Sequence, residues 1–138
     1  MKKFLMVMVL ATCGMMLWGS SCRKNDAAML AGREKDLRPR VQKYHDLIKW
    51  RDYQAAVELV APAKHGEFMS FAQWANEQGI RIEDYAINDV VMEPTGERAA
   101  VTVHRAFYRL PSVTVQVKDI TQEWVLVEGG WYLAGPPY

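Results

Sequence analysis

Cysteine is nearly absent. Cys13 and Cys22 are the two in 138 residues, and they form no CxxC motif, so neither a disulfide framework nor a cysteine zinc site can be built from them. Histidine is also scarce. His45, His65 and His104 include no i,i+4 pair with a third ligand in view, so no metal site is expected. No serine or cysteine stands in a nucleophile elbow, and no glycine-rich run has the spacing of a phosphate loop, so no catalytic residue and no cofactor is assigned. Net charge is small, +1, and Asp52 to Tyr138 has six Lys/Arg against twelve Asp/Glu, so no basic patch on the domain supports nucleic acid as a partner. Long hydrophobic runs are missing as well: Phe4 to Trp18 is fifteen residues, short of the roughly 20 that cross a bilayer. What the chain has in quantity is apolar residues, 50% of the total, enough at this length for one core but not for two.

The N-terminus has the layout of an export signal. Lys2-Lys3 precedes the apolar run, and Gly19-Ser20-Ser21-Cys22 follows it with small residues and a thiol. Small residues just before a cysteine resemble the bacterial lipobox, at which the signal is removed and the cysteine acylated. Gly19 stands where that motif usually has leucine. Leu10-Ala11-Thr12-Cys13 places a leucine correctly, but apolar sequence continues past it to Trp18, so Cys22 is the expected lipidation site. This implies a signal peptide at 1–21, a basic tether at 22–36 and one domain at 37–138. Arg23, rather than aspartate, follows Cys22, which points to the outer membrane, facing the periplasm. Arg23 to Arg51 holds nine Lys/Arg against four Asp/Glu, a basic neck able to lie against anionic headgroups.

Beyond the neck the pattern becomes helical. Leu37, Val41, Tyr44, Leu47 and Ile48 recur at spacings of three and four, with Pro39 placed in the first turn. Asp52 is an expected N-cap for a short helix, Tyr53 to Val60, ended by Ala61-Pro62. Ala63 to Met69 reads as a loop, and Ser70 to Gln73 as the capping box of a third helix stopped by Gly79. Then strands take over. Ile80 to Met92 is interrupted at Glu83-Asp84, and Pro94 to Glu97 turns the chain into an antiparallel meander from Arg98 to Leu133. Within it Val113 to Val117 alternates, Lys118-Asp119 is a polar step, and Gly129-Gly130 signals a tight hairpin.

This order, carried by Val41 to Pro62 with its break at Trp50-Arg51-Asp52, by Ser70-Phe71, and by Trp124 to Leu133, resembles the nuclear transport factor 2-like, or cystatin-like, superfamily. The resemblance implies an α+β fold in which N-terminal helices pack on a curved antiparallel sheet, shaped as a cone. It also permits an isomerase test. The isomerase's first-helix tyrosine would fall on Tyr44, but its general base would fall near Phe68, with only Glu67 adjacent, and its second acid near Thr121, so that chemistry is not supported.

Strand parity places Val101, Val103, Arg105 and Phe107 on one face of the sheet and Thr102, His104 and Tyr108 on the other. Arg105 therefore falls on the core side, where a guanidinium meets a carboxylate, reaches the open end of the cone, or awaits an anion, unless a β-bulge reverses the register. Tyr44 and Arg105 are the ligand-pocket candidates. His45 is expected on the solvated helix surface, and Trp74, Trp124 and Trp131 in the core. The first expectation for function is a membrane-anchored periplasmic lipoprotein, a binding or interaction module whose partners are membrane lipid through acylated Cys22 and a protein or second copy through the sheet face. The alternatives are a small-molecule enzyme using the cone cavity, of isomerase or dehydratase type, and a structural partner of an envelope complex, which would present an exposed apolar strand face.

Overall fold

The computed structural model describes residues 20–137, with side chains from Arg23 onward. The expected signal segment, apart from the backbone of its last two residues, and the side chain of Cys22 lie outside the described residues.

Helix α1 (Ser20–Lys49) is the spine of the molecule. Its buried stripe is Leu37, Val41, Tyr44, His45 and Ile48, a spacing of four, three, one and three that keeps one face toward the sheet. The helix begins 17 residues earlier than its apolar periodicity implies, and Pro39 lies inside it rather than in its first turn. The early turns have a partner that periodicity does not reveal: Gly96, in the turn between β1 and β2, comes against Met29, Leu30 and Arg33. The segment expected as a tether is thus helical, and Met29, Leu30 and Arg33 lie against the β1–β2 turn.

Asp52 caps α2 (Tyr53–Ala56), its carboxylate accepting from the Ala55 N–H at 3.1 Å, and a 3₁₀ turn (Val57–Leu59) completes that short helical stretch. A second 3₁₀ turn (Pro62–Lys64) leads directly into α3 (His65–Glu77). The expected loop at 63–69 is therefore mostly helix, and Ser70 is an interior residue of α3 rather than its cap. In place of a capping box, the His65 ring lies against the Val60 carbonyl at 2.8 Å, so the helix entry is held by a contact that no local motif announces. Gly79, at φ +66°, ends α3, as its position implied.

Four antiparallel strands follow in meander order: β1 (Ile80–Met92), β2 (Arg98–Arg109), β3 (Gln116–Val127) and β4 (Gly130–Leu133). Helices on one face of an open antiparallel sheet make the fold α+β. Register shifts in β1 between Ile82 and Asp84 and between Ile87 and Asp89 bend and twist the edge strand, which lets the sheet curve around α1. Two readings of the meander change. Val113 and Val115 precede β3 rather than forming a strand, and Lys118-Asp119 lies within β3 without breaking it. The hairpin turn uses Glu128 (φ +50°) and Gly129 (φ +79°), while Gly130 already belongs to β4. The core between helix and sheet is closed by Phe68, Val101, Val103, Trp124, Trp131 and Leu133.

Candidate functional site

Pairing between β2 and β3 runs without a register shift from Arg98 to Phe107, so strand parity holds and Arg105 faces the helices with Val101 and Val103. It is 6% exposed. Among the described residues no carboxylate pairs with it. Its one hydrogen-bond partner is an imidazole: Arg105 Nη2 lies 3.3 Å from His45 Nδ1. An arginine only donates, so Nδ1 must accept, and the ring proton sits on Nε2, which donates to Gln122 Oε1 at 3.0 Å. Burial, reinforced by the Arg105 charge, drives the His45 pKa down to about 3, so the ring is neutral and solvates the guanidinium without neutralising it. Arg105 Nε has no partner at all. Burial also lowers the guanidinium's own pKa.

His45 is therefore not a surface residue; at 1% exposure it corrects the sequence-based expectation. The signal was available, since position 45 is four residues after Val41 and three before Ile48. Tyr44 is fully buried as well, edge-on to Phe68 and Trp124, with its hydroxyl unpartnered and its pKa raised by burial. It belongs to the core and does not line the cavity described next.

At the end of the sheet where β1 begins and β2 ends, the helices leave a cavity of about 120 Å³. Its floor is Ile80 and Ile82 of β1, Phe107 of β2 and Ile120 of β3, and its roof is Ile48 of α1, Tyr53 of α2 and Phe71, Trp74 and Ala75 of α3. Arg105 and Lys118 complete the wall. Trp74, expected in the core, is 49% exposed because it forms the rim, whereas Trp124 and Trp131 are buried as expected. Tyr53 is half-buried, and the same apolar surroundings raise its pKa. No carboxylate and no imidazole lines the cavity, so none of its walls offers a general base of the isomerase kind. Phe68 and Thr121, where that chemistry would have needed acids, lie in the core and on the opposite face of the sheet.

That opposite face carries cross-strand polar pairs. His104 Nδ1 and Asp119 Oδ1 are 2.6 Å apart, and the Thr102 and Thr121 hydroxyls 3.3 Å apart. No group of three or more metal-ligating side chains occurs among the described residues. None of the described helices is long and apolar enough to cross a membrane.

Architecture and site together define a helix-covered, curved antiparallel sheet with an apolar pocket at one end, the nuclear transport factor 2-like, cystatin-like fold. No protein-family model matches the chain, and no curated protein sequence matches it either. Solved structures do. The chain is similar to a nuclear transport factor 2-like protein with a cystatin-like fold from Novosphingobium aromaticivorans, with 15% identity over 85% of this chain and 87% of that one, at a TM-score of 0.53. It is also similar to a SEC-C motif containing protein from Rhodopseudomonas palustris, with 14% identity over 81% and 88% of the two chains and a TM-score of 0.61. The intermembrane space region of the chloroplast protein ARC6 matches at 13% identity over 73% and 92%, with a TM-score of 0.50. Likeness at these identities establishes the fold, and function has to be argued from the site.

Proposed function

We propose that this domain is a binding module that takes a small, largely apolar molecule into the cavity between Ile48, Phe71, Trp74, Ile80 and Phe107, and that it works at the cell envelope, anchored through an acylated Cys22. The observation that carries the binding reading is the cavity itself. An apolar cavity of roughly 150 Å³ takes up benzene, and this one, at about 120 Å³, is of that order and opens past an exposed tryptophan. Binding is favoured over isomerase or dehydratase chemistry because the wall supplies cations and a phenol but no base. A structural role beside an envelope partner is the second reading, since the open face of the sheet exposes Val91, Val117 and Val127 beside its polar pairs.

The test is an amide NMR titration with millimolar benzyl alcohol and benzoate. Shift changes are expected to cluster at Ile48, Ile80, Ile82 and Phe107. Ala75→Leu, which fills the cavity from α3, should abolish them. Perturbations scattered over the surface, or an Ala75→Leu variant that still binds, would overturn the reading.

A further inference from the structure

Arg105 on β2 stands directly across from Lys118 on β3 in the sheet register, so both side chains lie on the same face, and both line the cavity. Like charges placed opposite one another across two strands repel. A sheet normally relieves such a pair with an acid, yet among the described residues neither cation forms an ion pair. Of the acids near this end, Glu67 shares the outer groove with Lys118 but pairs with Lys64 at 3.1 Å, and Asp119 faces His104 on the far side of the sheet. Arg105 is the more telling member, being 6% exposed, hydrogen-bonded only to a neutral imidazole, and left with a buried Nε that has no partner.

Resting on the reading of this cavity as a binding site, we infer that its ligand is a small organic anion, an aromatic or branched aliphatic body carrying a carboxylate held between Arg105 and Lys118. The walls set the body. Apart from Tyr53 and the two cations they are hydrocarbon and aromatic rings, so the rest of the molecule is apolar. The cations set the head. A planar carboxylate matches the guanidinium fork with two oxygens, whereas a phosphate would bring a third oxygen and more charge into a wall that, apart from Tyr53 and the two cations, is apolar. Lys118 is exposed and belongs also to the groove outside the rim, with Ser70, Phe71, Trp74 and Glu67, whose carboxylate is paired with Lys64.

The experiment compares benzoate, benzyl alcohol, benzylamine and phenyl phosphate on the wild-type protein and on Lys118→Met and Arg105→Met, by calorimetry and amide NMR at neutral pH. Benzoate should bind roughly tenfold or more tighter than benzyl alcohol, as expected for one or two charge-assisted hydrogen bonds. Benzylamine should be the weakest, and phenyl phosphate weaker than benzoate. Each variant should lose most of the preference for benzoate while still binding benzyl alcohol. Lys118→Met, at an exposed position, is the variant whose fold is not at risk, and it should also flatten the salt dependence of benzoate binding. Equal binding of benzoate and benzyl alcohol would overturn the anion assignment and leave the cavity reading intact. A preference that survives in both variants would overturn the assignment of these two cations, tighter phenyl phosphate would overturn the carboxylate, and no binding of any probe would overturn the cavity reading with it.

Discussion

Arg105 is stabilised less than its burial demands. Holding an uncompensated guanidinium out of water costs several kcal/mol, and replacing it by methionine leaves one buried acceptor, His45 Nδ1, unpaired, at about 1–3 kcal/mol. The first term is larger, so Arg105→Met is expected to raise the melting temperature of the ligand-free protein while removing its response to benzoate. A fall in melting temperature would mean that the arginine serves the core rather than a ligand. His45 supplies a second check. Its folded-state pKa of about 3 lies below the ordinary 6.5, because burial and the adjacent cation both oppose a charged ring. The unfolded chain therefore takes up a proton that the folded one refuses. The full contribution is present above pH 6.5 and is lost as pH falls toward 3, at a slope on the order of 1 kcal/mol per pH unit. Denaturant titrations between pH 7 and 4 should show this slope, and His45→Asn should flatten it. At this scale the sequence was partly legible: two-residue parity was enough to put Arg105 on the core side, since no bulge intervenes in β2 and β3. His45 was misread because its polarity outweighed its place in the stripe, and the partners that justify its burial, Gln122 and Arg105, are 77 and 60 residues away.

Elements were legible where a local cause sets them. Asp52 and Gly79 are both where capping chemistry puts them, and β1 and β2 follow β-branched runs bounded by a proline-glycine turn. Misreadings arose where the cause is distant. The early turns of α1 meet, through Met29, Leu30 and Arg33, a turn at Gly96 that lies 63 to 67 residues on (96 − 33 and 96 − 29), and the start of α3 is held by a histidine reaching back to Val60. Glycines separate the local from the tertiary contribution in a single comparison. At Gly79 an added Cβ needs a left-handed φ of +66° and would come 3.1 Å from Leu110 Cβ. Leu110 also donates its N–H to the Gly79 carbonyl at 3.0 Å, tying the end of α3 to the end of β2 beside the cavity. Gly79→Ala is expected to cost about 2 kcal/mol, of which 1–2 is the left-handed backbone alone, and to lower the melting temperature by several degrees. Gly66→Ala, inside α3 with nothing within 4 Å of the new methyl, should instead stabilise by about 0.5–1 kcal/mol. Paired thermal melts would decide both, and a neutral Gly79→Ala would remove the argument that this junction braces the pocket.

At the scale of the whole molecule, the expected anchor and the pocket belong to opposite ends of one helix. Cys22 falls in the first turn of α1, and Ile48, which roofs the cavity, in its last. At 1.5 Å per residue the 26 steps between them span about 40 Å. A lipid on Cys22 would therefore hold the site well clear of the headgroups, on a rigid arm rather than a loose tether. Anchoring and binding should then be separable. In cells, Cys22→Ala is expected to abolish acylation and a globomycin-sensitive shift in gel mobility, while purified Cys22→Ala protein binds benzoate with unchanged affinity. A wild-type protein without the globomycin shift, or a Cys22→Ala variant that keeps it, would remove the lipoprotein assignment and leave the pocket standing. Weakened benzoate binding by Cys22→Ala would instead show that the two ends of α1 are coupled. The buried stripe of α1, which packs against the sheet, begins only at Leu37, 15 residues beyond Cys22, and gives that coupling no route.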